Sequence, residues 1–185
     1  MGKYVVENKK GGALIFTIRQ EQPSDYEEVY TMVKKSFATA SYSDGTEADY
    51  LNEVRTKSTF VPALSCVAEA KNGKIIGQVV LYKTVIETEA REAETLVLSP
   101  LSVHPDYFRQ GVARGLVRHA LAQAVLLGYS SVFLCGEPEI YQKFGFKPSF
   151  EFSVYHKSDP EALWCMGQEL LKDSLKNISG SIDIV

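Results

Sequence analysis

The block Pro100-Leu-Ser-Val-His-Pro-Asp-Tyr-Phe-Arg-Gln-Gly-Val-Ala113, continued by Arg114-Gly115-Leu116, holds the residue types best suited to chemistry. A strand ends at Val103, a short loop follows, and a long apolar-periodic helix begins near Gly111. Free amides at a helix N-terminus point outward, and the helix dipole places about half a positive charge there. Gly111 lets an anion's oxygens approach the backbone, which a side chain would block. Ala113 keeps the first turn narrow, and Arg109 and Arg114 add charge beside it. These types in this order describe a pyrophosphate cradle, against the plainer reading of a glycine turn that merely starts a helix. Rival motifs fit poorly. No Lys-Ser or Lys-Thr follows the glycines as a P-loop needs, and no G-x-G-x-x-G is present. Gly111-x-x-x-Gly115 lies outside any apolar span, which excludes membrane-helix dimerisation.

Other reactive side chains read more plainly. Cys66, Cys135 and Cys165 are far apart in the chain and odd in number, with no C-x-x-C or Cys/His cluster. They are expected to be reduced and buried as small apolar residues, with no metal site. Cys135, at a strand end, has no adjacent base pattern that would make it a nucleophile. His104 invites a role as a base, but His-Pro at a strand end reads as a structural loop residue. His119 and His156 have no partner in view.

The elements that must position the cradle follow from periodicity and turn signals. Residues 1–12 are polar, end in Gly11-Gly12 and read as a flexible lead-in; 13–185 reads as a single domain. Ala13–Arg19 is a strand, and Ser24 with Glu27 has capping-box spacing for a helix reaching about residue 38. A second helix is predicted over 46–57, then a hairpin of 64–70 and 74–87 turning at Asn72-Gly73. A charged connection (87–94), a strand (95–103) and a helix (109–127) stopping at Gly128 come next. A short strand (131–135), a short helix (138–144) and a strand (146–154) follow. Periodicity leaves 163–171 open between helix and strand. This order predicts an α/β fold, a mixed sheet flanked by helices.

Length and composition set the bounds. The chain has 185 residues, is 45% apolar and carries 20 basic against 23 acidic side chains. That composition excludes disorder, and the absence of a long apolar run argues against a membrane span. A net charge of −3 argues against sequence-independent nucleic-acid binding but leaves a local anion site open. The N-terminus lacks an apolar signal-peptide core, and Val6 stands where myristoylation wants Ser or Thr. Asn177-Ile178-Ser179 is then read as a chance sequon. A cytoplasmic protein is expected.

Three stretches together carry a resemblance. Leu98-Ser-Pro-Leu-Ser-Val-His-Pro, then Gln110-Gly-Val-Ala, then Gly136-Glu-Pro-Glu-Ile-Tyr-Gln-Lys-Phe-Gly-Phe are similar to the GCN5-related N-acetyltransferase (GNAT) family. The likeness covers roughly residues 14–150 and is strongest to a small bacterial branch of uncharacterised predicted N-acetyltransferases. That branch resembles the chain beyond 150 too, which implies late strands in 154–185 completing the sheet. One position departs: Phe108 stands where the family's phosphate motif begins with Gln or Arg.

The resemblance implies acetyl-CoA as donor and splayed parallel strands, 95–103 and 131–135, beside its site. The pyrophosphate would rest on Arg109, Gln110, Gly111, Val112, Ala113 and Arg114. The pantetheine arm would pair along Leu101, Ser102 and Val103, and an amide near Val103 would stabilise the oxyanion. An amine would attack the thioester directly, with no covalent enzyme intermediate. Tyr141 stands at the position of a general acid for the leaving thiolate; ordinary phenol and thiol pKa values lie about 1.5 units apart. Glu137 and Glu94 are the candidate bases, against a reading of both as surface acids. Tyr42, Asp44, Glu47, Asp49, Tyr50 and Glu53 would give the acceptor side an acidic, aromatic character, or simply form a solvated face. The activity implied is transfer of an acetyl group to a primary amine of a small molecule or peptide. The alternatives are a non-catalytic acyl-CoA sensor or a protein-interaction domain of the same fold. Pairing through edge strands leaves a homodimer open.

Overall fold

Turn chemistry and a few charged side chains set the first elements. The computed structural model describes residues 2–7, 13–38 and 43–185. The chain gathers into two compact units, one of residues 1–80 with 100–120, the other of 81–99 with 121–185.

The first unit begins with β1 (Gly2–Glu7) and β2 (Ala13–Gln20), paired antiparallel. Residues 2–7 are thus a strand, where the polar composition of 1–12 suggested a loose lead-in. The cause is Tyr4, whose ring stacks on its register partner Phe16 with centroids 5.5 Å apart. Residues 8–12, the rest of that lead-in, lie outside the described residues.

Helix α1 (Tyr26–Phe37) follows a short 3-10 turn at Pro23–Asp25 and buries Val29, Met32 and Val33 at i, i+3, i+4 spacing. Its start is capped differently from the Ser24/Glu27 expectation. Asp25 accepts from the Gln22 N–H at 2.7 Å and takes both Arg19 Nη atoms at 2.6 and 3.0 Å. Helix α2 (Glu47–Thr56) buries Ala48, Leu51 and Val54. Strands β3 (Phe60–Ala70) and β4 (Ile75–Thr88) form the hairpin read from Asn72-Gly73. Gly73 has φ +84 and donates to Ala70 O at 2.9 Å, a conformation that an L side chain strains.

Strand β5 (Glu92–Val103) starts three residues earlier than its apolar run, because Thr88 and Arg91 close a tight turn through Thr88 N–H to Arg91 O, 3.1 Å. Helix α3 (Val112–Leu126) ends in Gly128, φ +90. Its Gly115 lies against Phe16 and Ile18 of β2, where an added Cβ would come within 3.2 Å of both.

The second unit centres on β6 (Ser131–Cys135), whose Val132, Phe133 and Leu134 are fully buried, as its short apolar run predicts. β6 pairs parallel with β5 at Leu96–Val132 and Val97–Phe133. The short helix α4 (Pro138–Tyr141) continues as a 3-10 turn over Gln142–Phe144. The predicted strand 146–154 is broken. A two-residue β7 (Lys147–Pro148) leads to a 3-10 turn, Ser153 takes φ +59, and β8 (Val154–His156) resumes. The ambiguous tail is a strand, β9 (Cys165–Glu169), antiparallel to β6 along its whole length. Gly167 lets it lie close on Phe133, since a Cβ there would sit 2.6 Å from that ring. β10 (Gly180–Ile182) pairs with β8 and with the end of β4. Ile86, Val97, Phe133, Val154, Leu175, Ile182 and Ile184 form this unit's apolar core.

Hydrogen bonds join ten strands, among the described residues, into one mixed sheet of order β1-β2-β3-β4-β5-β6-β9-β7, with β10 and β8 branching from β4. Four α-helices among the described residues accompany it. The predicted α/β class holds.

Candidate functional site

The loop between β5 and α3 is the most specialised backbone in the first unit. Pro105–Tyr107 makes a 3-10 turn, Arg109 takes φ +59 and Gly111 φ +80. A left-handed arginine is uncommon, and such strain concentrates at functional sites. Gly115 N–H bonds Gly111 O at 3.0 Å, so helical geometry leaves the amides of Val112, Ala113 and Arg114 outside the α3 ladder. Val112 is buried and anchors the turn, while Arg109 and Arg114 are exposed. Gln110 ties the loop together by donating from Nε2 to Asp106 O at 2.8 Å. Phe108, the departing residue, is 45% exposed. The sequence-predicted residues 109–114 therefore run without a break from the turn into the first residues of α3.

Leu101, Ser102 and Val103 form the last stretch of β5 ahead of that turn. Ser102 is buried, with Oγ 3.4 Å from Gln78 Oε1. His104 N–H donates to Ile76 O at 2.9 Å, which directs the neighbouring Val103 N–H to the opposite side of the strand. There it donates to Ser36 Oγ of α1 at 3.2 Å. Ser36 is a contact that sequence reasoning missed, since a serine late in an amphipathic helix carries no signal of a partner 67 residues away.

His104 is structural, as the His-Pro reading expects. It is buried, with Nε2 3.1 Å from the Lys74 ammonium and Nδ1 3.3 Å from Asp106 N. Burial, then the Lys74 charge, lower its pKa, so it stays neutral. With Glu27, Glu28, Lys35 and Lys74 it borders an open groove of about 370 Å³. His119 lies 3.4 Å from Tyr4 OH and is likewise lowered by burial.

In the second unit, Glu137 precedes α4, is exposed, and its carbonyl accepts from Ile140 and Tyr141 N–H at 3.0 and 3.2 Å. Tyr141 is half-buried and edge-on to Phe144 and Phe146, with centroids 6.2 and 6.0 Å away. Its ring fills the space beside Gly136, where an added Cβ would lie 2.3 Å from Cε2. That glycine is thus needed for the tyrosine's position. Glu94 is exposed and 3.9 Å from Lys83. His156 is buried and fully engaged: Nε2 lies 2.9 Å from Ile184 O and Nδ1 2.9 Å from Ser158 Oγ.

The acidic segment expected on the acceptor side is largely self-satisfied. Asp44 accepts from Thr46 Oγ1 at 2.6 Å, which lowers its pKa, Asp49 accepts from Tyr30 OH at 2.9 Å, and Glu53 pairs with Lys57 at 2.7 Å. Asp44 and Glu47 share a groove of about 360 Å³ with Lys34, Phe37 and Ser43. Tyr42 lies outside the described residues. Among the described residues, no cluster of three or more His, Cys, Asp or Glu could hold a metal, and no helix is long and apolar enough to cross a membrane.

Known proteins share this architecture. The chain is 27% identical over 173 residues to the uncharacterized N-acetyltransferase YhbS of Escherichia coli K12, covering 90% of this chain and 94% of that protein. The crystal structure of E. coli YhbS in complex with CoA superposes with a TM-score of 0.79 at 23% identity, covering 96% and 94% of the two chains. A GNAT-family acetyltransferase from Brucella melitensis in complex with acetyl-CoA gives 0.71 at 24% identity, covering 89% and 92%. The sequence pattern of the acetyltransferase (GNAT) domain matches residues 17–149. The match takes in the second half of β2, both early helices, the β3–β4 hairpin, the amide-rich turn and the Gly136–Tyr141 segment, and by it the chain belongs to the GNAT acetyltransferase family.

Proposed function

We propose that the chain is an acetyl-CoA-dependent N-acetyltransferase that moves an acetyl group to a primary amine by direct attack. The observation that carries this reading is the turn at Arg109 and Gly111, both at positive φ, which presents the Val112, Ala113 and Arg114 amides outside the α3 ladder. That donor set, with Arg109 and Arg114 exposed beside it, suits a pyrophosphate. Arg109, Gln110, Gly111, Val112, Ala113 and Arg114 would hold it, and Leu101, Ser102 and Val103 would pair with the pantetheine arm. Acetyl-CoA, when bound, supplies an acetyl group activated as a thioester. The Val103 amide is held by Ser36, so pairing there exchanges one hydrogen bond for another. Tyr141 donates a proton to the leaving sulfur, and Glu137 accepts one from the amine. A cytoplasmic setting, and a homodimer through an edge strand such as β1, belong to the same reading.

Two measurements test it. Acetyl-CoA should stabilise the protein in a thermal-shift titration, and Gly111→Val should weaken that binding at least about tenfold by straining the turn and covering its amides. Thiol release with a panel of amines should occur, and Tyr141→Phe should slow it on the order of 10²–10⁴-fold with cofactor binding retained. An unchanged rate in Tyr141→Phe removes the acid role. Binding without thiol release from any amine turns the reading toward an acyl-CoA sensor. No stabilisation at millimolar acetyl-CoA turns it toward a protein-interaction domain.

A further inference from the structure

Two cysteines that are 30 positions apart in the chain meet across a strand pair. Cys135 closes β6, Cys165 opens β9, and the antiparallel register sets them directly opposite. Gly136 N–H donates to Trp164 O at 2.8 Å, one position further along each strand, so Cys135 and Cys165 occupy a non-hydrogen-bonded site. Opposed Cα atoms at such a site are about 4.5 Å apart and their side chains at their closest. A disulfide closes without backbone movement over about 4.4–6.8 Å.

The two thiols shift one another: the Cys165 side chain opposite pushes Cys135 up, and Cys135 holds Cys165 down at about 7, with Ser149 and His156 helping on the same side. The first proton leaves this pair easily and the second is held hard. Cys135 also donates to Ile184 O at 3.5 Å, but that carbonyl keeps its closer partner, His156 Nε2 at 2.9 Å, if the thiol hydrogen is lost. Cys165 is fully buried, whereas Cys135 is partly exposed. Closing a bond between them leaves no buried carbonyl without a donor.

We propose that Cys135 and Cys165 form a reversible dithiol–disulfide pair across β6 and β9, oxidised by a small peroxide. The pair loses one proton, the proton that remains shifts from Cys135 to Cys165, and the Cys135 thiolate, on the partly exposed residue of the two, attacks the peroxide O–O bond. This gives a Cys135 sulfenic acid and hydroxide, which the released proton turns into water. The Cys165 sulfur then attacks the Cys135 sulfur and gives up its proton. The S–S bond forms as the S–O bond breaks, and a second water leaves. Both sulfurs are oxidised and one hydrogen peroxide is reduced. Cys66, buried and with its thiol pushed up to about 12 by desolvation, stays reduced and serves as the internal reference.

The test is hydrogen peroxide treatment of the whole chain, followed by denaturing alkylation and mass spectrometry. Alkylatable thiols should fall from three to one. A linked peptide should join tryptic fragments 119–143 and 158–172, and a dithiol reductant should restore all three thiols. Cys165→Ser should give no linked peptide and instead leave Cys135 as a sulfenic acid trapped by a dione probe. Three thiols remaining after peroxide would overturn the proposal. So would Cys135 driven to sulfinic acid with no linked fragment, or a link that includes Cys66.

Discussion

The two compact units are built by different physics. In the first, charge is buried: the Arg55–Glu21 pair has side chains only 4% and 1% exposed, and Ser65 Oγ donates to the same carboxylate at 2.7 Å. Arg55 also stacks on Tyr26, 4.1 Å from its ring centroid, and Arg19 bridges Asp25 and Glu69. In the second, the core is apolar and its ion pairs, Lys157–Glu87 and Lys83–Glu94, are solvated. Burying charge costs desolvation, and a hydrophobic core of equal volume is often as stable. What the ionic network does here is fix segments relative to one another: Arg19 and Glu21 extend from β2, Asp25 begins α1, Arg55 ends α2, and Glu69 and Ser65 lie on β3. The same unit carries the amide-rich turn. Its charged contacts orient elements, whereas the second unit is ordered by shape.

Equal-sized disruptions should separate those two modes. Glu21→Ala leaves Arg55 buried without its counter-charge, and Phe133→Ala opens a cavity in a fully packed site. Each should cost about 3–5 kcal/mol in chemical denaturation, if for different reasons. The double replacement Glu21→Leu with Arg55→Met should recover most of the loss, because removing both charges removes the uncompensated one. If the double variant is as unstable as Glu21→Ala, the ionic network is essential to the first unit and not a register device.

The same contrast explains what was legible in the chain. Local signals carried the first unit well: Asn72-Gly73 marks its hairpin, Val29, Met32 and Val33 keep helical spacing, and Gly111 marks the turn. They failed where a non-local partner decides. Asp25 displaces Ser24 and Glu27 as the cap because Arg19 fixes its carboxylate, and Ser36 serves Val103, a strand residue far along the chain. In the second unit, Ser153 at positive φ breaks a run that reads as one strand. A stretch that helical spacing fits becomes a strand because β6 pairs with it residue by residue, which no local pattern announces. Cys135 and Cys165 are unrelated by any spacing rule; only the β6–β9 register brings them together. Arg109 in the left-handed region was equally invisible, since no residue type announces it.

Acid should weaken the first unit through its histidines. His104 and His119 both have their pKa lowered from 6.5 by burial, so an unfolded chain takes up protons on them at a pH where the folded chain does not. Their contribution is therefore complete above about 6.5 and declines as the pH falls toward the folded values, becoming constant below them. Asp25, held below 3.8 first by its Arg19 hydrogen bonds, keeps its contribution until lower pH and loses it as its carboxyl protonates. Thermal unfolding followed from pH 8 downward should show a first decline below about 6.5 and a second below about 3.8. His104→Asn with His119→Gln should flatten the first and leave the second. A first decline that persists in the double variant would assign it to other groups.

The smallest effect belongs to the second unit's surface. Lys157 Nζ meets Glu87 at 2.7 Å, close enough to look like an anchor between β4 and the residue just after β8. Both side chains are well exposed, at 38% and 51%, so water already solvates them and salt screens what attraction remains. The backbone holds that join independently: Lys157 N–H donates to Ile182 O at 3.0 Å, and Gly180 and Ser181 pair with Thr88 and Glu87. Lys157→Ala should therefore leave the chemical-denaturation midpoint essentially where it is in the parent chain. A clear drop in that midpoint would mean that the second unit, too, depends on charge, and the contrast drawn from Arg55 and Glu21 would fail.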